Sequence, residues 1–161
     1  MTNHPARRRL TIPVASAVAA LLPVSCQGAG AARPPAPPAP PVIELRMREY
    51  RYEPTPAAGT IPAGRVNFQF RNVGDQGHQP ALLVLPDDVP PILEQLKGEN
   101  RRNASMLAGN SGVSPGVTGA LAVDLKANQR YAFVCLVKTN DGKDHSRLGM
   151  AWEFRATAPP G

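Results

Sequence analysis

The chain has 161 residues, 19 of them proline and 14 glycine, with two cysteines and a formal charge of +6. Three of those charges are Arg7, Arg8 and Arg9 at the N-terminus; from Cys26 onward, 15 basic and 12 acidic residues leave +3. That balance is too slight and too dispersed for a nucleic-acid partner, and the length left for folding suits one domain with a real core.

The first segment is basic ("MTNHPARRR"), then apolar and uncharged ("LTIPVASAVAALLPVS"), and closes on Ser25 and Cys26. The apolar run is too short to span a bilayer comfortably and reads as an export signal over residues 1–25. It resembles a bacterial lipoprotein signal. That likeness implies a diacylglycerol on Cys26, a mature chain beginning there, and attachment to the membrane, facing outward, through the N-terminal lipid. Ordinary secretion with Cys26 unmodified is the alternative. In the linker, residues 26–41, "RPPAPPAPP" has six prolines in nine residues, a stiff spacer that cannot join a packed core.

From Val42 to Thr157 the periodicity is mostly two. Ile43, Leu45 and Met47 alternate with polar residues, as do Val66, Phe68 and Phe70. "ALLVL", Ala81 to Leu85, is continuous and bounded by prolines, as a strand buried on both faces would be. Within Pro90–Leu107, Ile92, Leu93 and Leu96 take helical spacing after Pro91, which predicts a short helix broken at Gly98. Leu121, Val123 and Leu125 form a further alternating set, followed by Tyr131, Phe133 and Cys135, and finally Met150, Trp152 and Phe154. About seven strands with one short helical insertion predict an all-β, antiparallel Greek-key β-sandwich, with residues 158–161 as a tail.

Three stretches carry a closer likeness: "TIPAGRVNFQFRNVGDQGH", "SPGVTGALAVDLKANQRYAFVC" and "HSRLGMAWEF". In their order the domain resembles the cupredoxins, the small blue-copper sandwiches. The resemblance implies one type 1 copper ion, with His78, Cys135 and His145 as equatorial ligands and Met150 as axial ligand. Such a site needs two imidazoles and a thiolate near one plane, plus a weak thioether. After Cys26 the chain has only two histidines, His78 and His145, and one cysteine, Cys135, so its whole stock falls on these positions. The nine residues "LVKTNDGKD" between Cys135 and His145 exceed the few usual in small cupredoxins. They predict a more exposed, less constrained ligand face.

Taken singly, each residue also has a plainer reading. Cys135 could be a buried strand thiol, His78 a solvated turn residue, His145 a polar loop residue near Asp141 and Asp144, and Met150 core. The function expected is electron transfer or copper handling at the cell envelope, with a redox or copper-exchange protein as partner. A metal-free cupredoxin-like lipoprotein, acting as a binding or structural module, is the alternative. An enzyme is not expected: no histidines remain for a second copper centre, and no nucleophile-elbow pattern accompanies either histidine.

Overall fold

Alternating apolar positions need a second layer to cover them, and the chain supplies it with two sheets. The computed structural model describes Ala36 and residues 38–55, 60–98 and 103–158; the signal segment, Cys26 and most of the linker lie outside the described residues. The strands are β1 (Val42–Arg48), β2 (Arg51–Thr55), β3 (Ile61–Pro62), β4 (Gly64–Asn72), β5 (Pro80–Leu85), β6 (Ser105–Gly109), β7 (Thr118–Leu125), β8 (Arg130–Cys135) and β9 (Ala151–Thr157). One sheet has the order β2-β1-β4-β7 and the other β3-β9-β8-β5-β6. Most ladders are antiparallel. β1 runs parallel to β4, and β3 to β9; in each case intervening strands provide the crossover that parallel neighbours require.

The inward faces are those the alternation marks. Leu45 and Met47 from β1, and Val66, Phe68 and Phe70 from β4, meet Leu82, Tyr131, Phe133 and Cys135 of the other sheet in one buried cluster. Phe133 sits at its centre, edge-on to Phe68 and Phe70 at 4.9 and 5.0 Å between ring centroids. Every residue of β8 is buried, because its outer face is covered as well. Ala81, Leu83, Leu85, Ala132 and Val134 pack there against Ile92 and Leu96 of helix α1 (Ile92–Lys97).

A six-residue helix does not persist alone. Burial of Ile92 and Leu96, worth about 1.5–3 kcal/mol each, holds α1, together with the Ile92 N–H donated to Glu153 Oε2 at 2.8 Å. The helix stops at Gly98 as its sequence predicts. The helical reading does not extend to Leu107: Ser105–Gly109 is edge strand β6, paired with β5 through a bulge between Leu82 and Leu83. "SMLAG" carries no clean alternation: it is a five-residue edge strand in which Met106 and Leu107 are both exposed. β2 and β3 also bring the total to nine strands among the described residues where about seven were expected. β2 tolerates Pro54 because it is an edge, and β3 is two residues long.

Candidate metal centre

His78, Cys135 and His145 arrive at one end of the sandwich from three directions. Cys135 is the last residue of β8. His78 follows the loop after β4 and is fastened by a two-way backbone bridge to Val113, with N–O distances of 3.1 and 2.7 Å. That loop is itself held by Asn72, which is buried and whose side chain donates to the Gln76 and Val113 carbonyls and accepts from Gly74 N–H. His145 opens a single 3-10 turn, His145–Leu148, that ends on Gly149 at φ 109°, a left-handed conformation suited to glycine.

The reactive atoms face one another. His78 Nδ1 and His145 Nδ1 are 3.3 Å apart, and Cys135 Sγ lies 3.9 and 3.6 Å from them respectively. The point equidistant from all three lies about 2.1 Å from each, within the roughly 2.0–2.3 Å of nitrogen and sulfur bonds to a first-row metal ion. Met150 is tied to the same group by its backbone: its N–H donates to the His145 carbonyl at 3.0 Å, and its carbonyl accepts Cys135 N–H at 3.1 Å. Its buried side chain belongs to the same core cluster as Cys135.

The electrostatics show what this arrangement lacks. Both histidines are 0 % exposed. Burial pushes the pKa of each down; for His78 the neighbouring His145 adds to this, and Glu49 opposes it at both. Two neutral imidazoles therefore direct ring nitrogens at each other. Burial raises the Cys135 pKa against the opposing backbone N–H groups of Gln79 and Val137; the Gln79 N–H reaches Sγ at 3.4 Å. The Nε2 atoms of both histidines are buried without a hydrogen-bond partner among the described residues. Buried polar atoms left this way are rare and costly. A soft or borderline cation at the centre would engage all three inner atoms and displace the thiol proton, so the donor set fits such an ion.

The plainer readings of the histidines do not survive: His78 is no solvated turn residue, and His145 no exposed loop residue. The expectation of an open ligand face is also corrected. "LVKTNDGKD" folds on itself through Thr139 N–H to the Lys143 carbonyl (2.8 Å), Gly142 N–H to the Thr139 carbonyl (2.9 Å) and a Lys138–Asp144 ion pair (2.7 Å). His145 N–H is anchored on Val137, and the Tyr50 ring closes edge-on over the imidazole at 4.9 Å. The extra length is spent on internal bonds, not on slack.

Two neighbours of the histidines escaped the sequence reading. Glu49 and Tyr50 lie in the β1–β2 connection, with Glu49 Oε1 at 3.7 Å from His78 Nε2. A signal was present: Glu49 continues the inward parity of Leu45 and Met47, where an acidic residue is out of place.

No protein-family model matches the sequence, and no curated protein matches it. Solved structures do. Dithionite-reduced auracyanin from the photosynthetic bacterium Roseiflexus castenholzii aligns at TM-score 0.50 and 18 % identity, covering 76 % of this chain and 98 % of that one. Auracyanin B aligns at 0.51 and 18 %, covering 78 % and 94 %. The chain has a cupredoxin fold. Within this domain of cupredoxin fold the buried His-Cys-His group is the one cluster of potential metal ligands among the described residues.

Proposed function

We propose that this is an exported, lipid-anchored cupredoxin that binds one type 1 copper ion through His78, Cys135 and His145, with Met150 as axial ligand, and carries single electrons at the outer side of the cell membrane. The observation that supports it most is the triangle of two Nδ1 atoms and one Sγ, all buried and sized for one ion. Copper held there would supply a one-electron couple, Cu(I)/Cu(II), in a donor set that suits both states. The protein's part is to hold the ligands still: His78 by its bridge to Val113, Cys135 and His145 through Met150, and Leu136 N–H on the Gln79 carbonyl. Fixed ligands limit the rearrangement that accompanies each electron. Copper delivery is the second reading, and the closed face disfavours it, because a carrier of ions must release them. An enzymatic role is disfavoured by the sequence, which has no further histidine after Cys26.

The anchoring rests on the sequence of residues 1–26. Among the described residues no helix is long and apolar enough to cross a membrane. In this reading attachment is through the lipid on Cys26, and several acyl chains hold far better than one. Copper titration of the metal-free protein tests the main claim. One equivalent should develop an intense visible thiolate-to-copper band, and a colourless product would leave the metal-free binding module as the better reading. Mass spectrometry of the mature N-terminus tests the anchor: acylated Cys26 is expected, and an unmodified N-terminus would indicate plain secretion.

A further inference from the structure

We infer that Glu49 is a positioning residue for this centre, holding the Nε2 proton of His78 so that the Nδ1 lone pair points at the shared point between the three ligands. The effect on a copper couple described below presupposes the copper reading; the effect on the tautomer does not.

Histidines that bind metals through one ring nitrogen usually donate the other N–H to a carboxylate, a carbonyl or water, and this bond fixes both tautomer and ring orientation. His78 Nε2 is buried and has no hydrogen-bond partner among the described residues. The carboxylate facing it is Glu49, with Oε1 at 3.7 Å; roughly half an ångström of approach brings that contact to hydrogen-bond length.

Glu49 is not a wandering surface side chain. Its Oε1 accepts the backbone N–H of Asp75 and of Gln76, each at 2.8 Å. The carboxylate therefore clips the β1–β2 connection to the loop that delivers His78. Gly74 makes room for it: a Cβ there would lie 2.5 Å from both carboxylate oxygens. Gly74 has no positive φ, so its backbone would accept a side chain, and the flexible end of Glu49 would then have to move away. Two positions far apart in sequence thus agree on where this group sits. A negative charge beside one ligand also favours the more positively charged oxidised centre.

The decisive measurement needs no metal. In the metal-free protein, at a pH where the imidazoles are neutral, 15N-detected NMR should find His78 with Nε2 protonated and Nδ1 bare. Glu49→Ala should convert this to a mixture of tautomers. Glu49→Gln, whose amide oxygen still accepts the loop N–H groups, should retain the Nε2–H form. In the copper-loaded protein Glu49→Gln should weaken the preference for Cu(II) over Cu(I) about tenfold, a rise of about 59 mV in potential. Gly74→Ala, which keeps the charge but displaces the carboxylate, should shift the potential in the same direction. Backbone NMR shifts confirm that each variant is folded, and Glu49→Gln and Gly74→Ala decide the matter should Glu49→Ala not fold. An unchanged tautomer with Glu49 removed, or an unchanged potential in both other variants, would overturn the assignment while leaving copper binding intact. A protein that takes up no copper yet loses the Nε2–H tautomer with Glu49→Ala would keep the positioning role and sink the copper reading alone.

Discussion

The two ends of strand β8 bury polar groups in opposite ways. At its start Arg130 is 9 % exposed, and every guanidinium nitrogen is engaged. Nε and Nη2 donate to Glu153 Oε1 at 2.9 and 2.7 Å, and Nη1 donates to the carbonyls of Pro86 and Val89, each at 2.9 Å. The other Glu153 oxygen takes the first N–H of α1. At its end, five residues on, Cys135 meets two histidines whose inner nitrogens face each other and whose outer nitrogens are orphaned. In a low-dielectric interior a satisfied network rigidifies, while an unsatisfied one is expensive. The Arg130 end is complete without help; at the Cys135 end a cation would engage the three inner atoms, while the outer nitrogens stay without a hydrogen-bond partner among the described residues. Incomplete satisfaction, more than burial or charge, separates a site from a brace.

Four substitutions would break or sharpen that contrast. The largest effect is expected from Cys135→Ser: the visible band should vanish outright, because a hydroxyl does not supply a thiolate at neutral pH. Copper bound with an unchanged spectrum would place the ion on surface groups. His145→Ala should weaken copper affinity by roughly a hundredfold or more, beyond what loss of an outer partner does. Added imidazole should restore little, since Tyr50 closes that side; ready rescue in a titration would show the face to be open after all. Arg130→Ala should act on stability alone. It strands a carboxylate and several carbonyls and should cost about 2–3 kcal/mol in denaturant unfolding, below the 3–5 of a fully buried pair because the Glu153 side chain is 25 % exposed. The copper spectrum of the folded protein should not change. Smallest is Met150→Leu, a swap of similar volume that should cost under about 1.5 kcal/mol. Copper should stay bound and coloured, with a raised potential from loss of a donor that stabilises Cu(II); an unchanged potential would remove Met150 from the ligand set.

The inner strands were legible because their alternation records burial directly: Val66, Phe68 and Phe70 face the core. The clustering of His78, Cys135 and His145 was legible because histidine and cysteine are scarce after Cys26, so residue type alone narrowed the choice of candidate ligands. The short edge strands β2 and β6 were not legible, whereas the longer edge strand β7 was, from Leu121, Val123 and Leu125. "RYEPT" and "SMLAG" are five residues each, too short for an alternation to stand out. Nor was the closed loop, since Thr139, Gly142 and Lys138 act through bonds to one another that composition does not reveal. Glu49 was visible only as a polar residue on an inward parity, and what it faces depends on a loop starting more than twenty residues later. The parallel pairing of β1 with β4 is likewise set by the path between them, not by either strand.

The backbone bonds that join Cys135 to Met150 and Met150 to His145 have a consequence for how such a domain can change. Where donor atoms stand is written into main-chain hydrogen bonds, which survive replacement of any side chain; which donors stand there is written separately, one residue at a time. A lineage or an engineer can therefore exchange a thioether for an amide, or a thiolate for an imidazole, without redrawing the scaffold. Under the copper reading, preference among ions and the strength of the couple become traits adjustable in single steps.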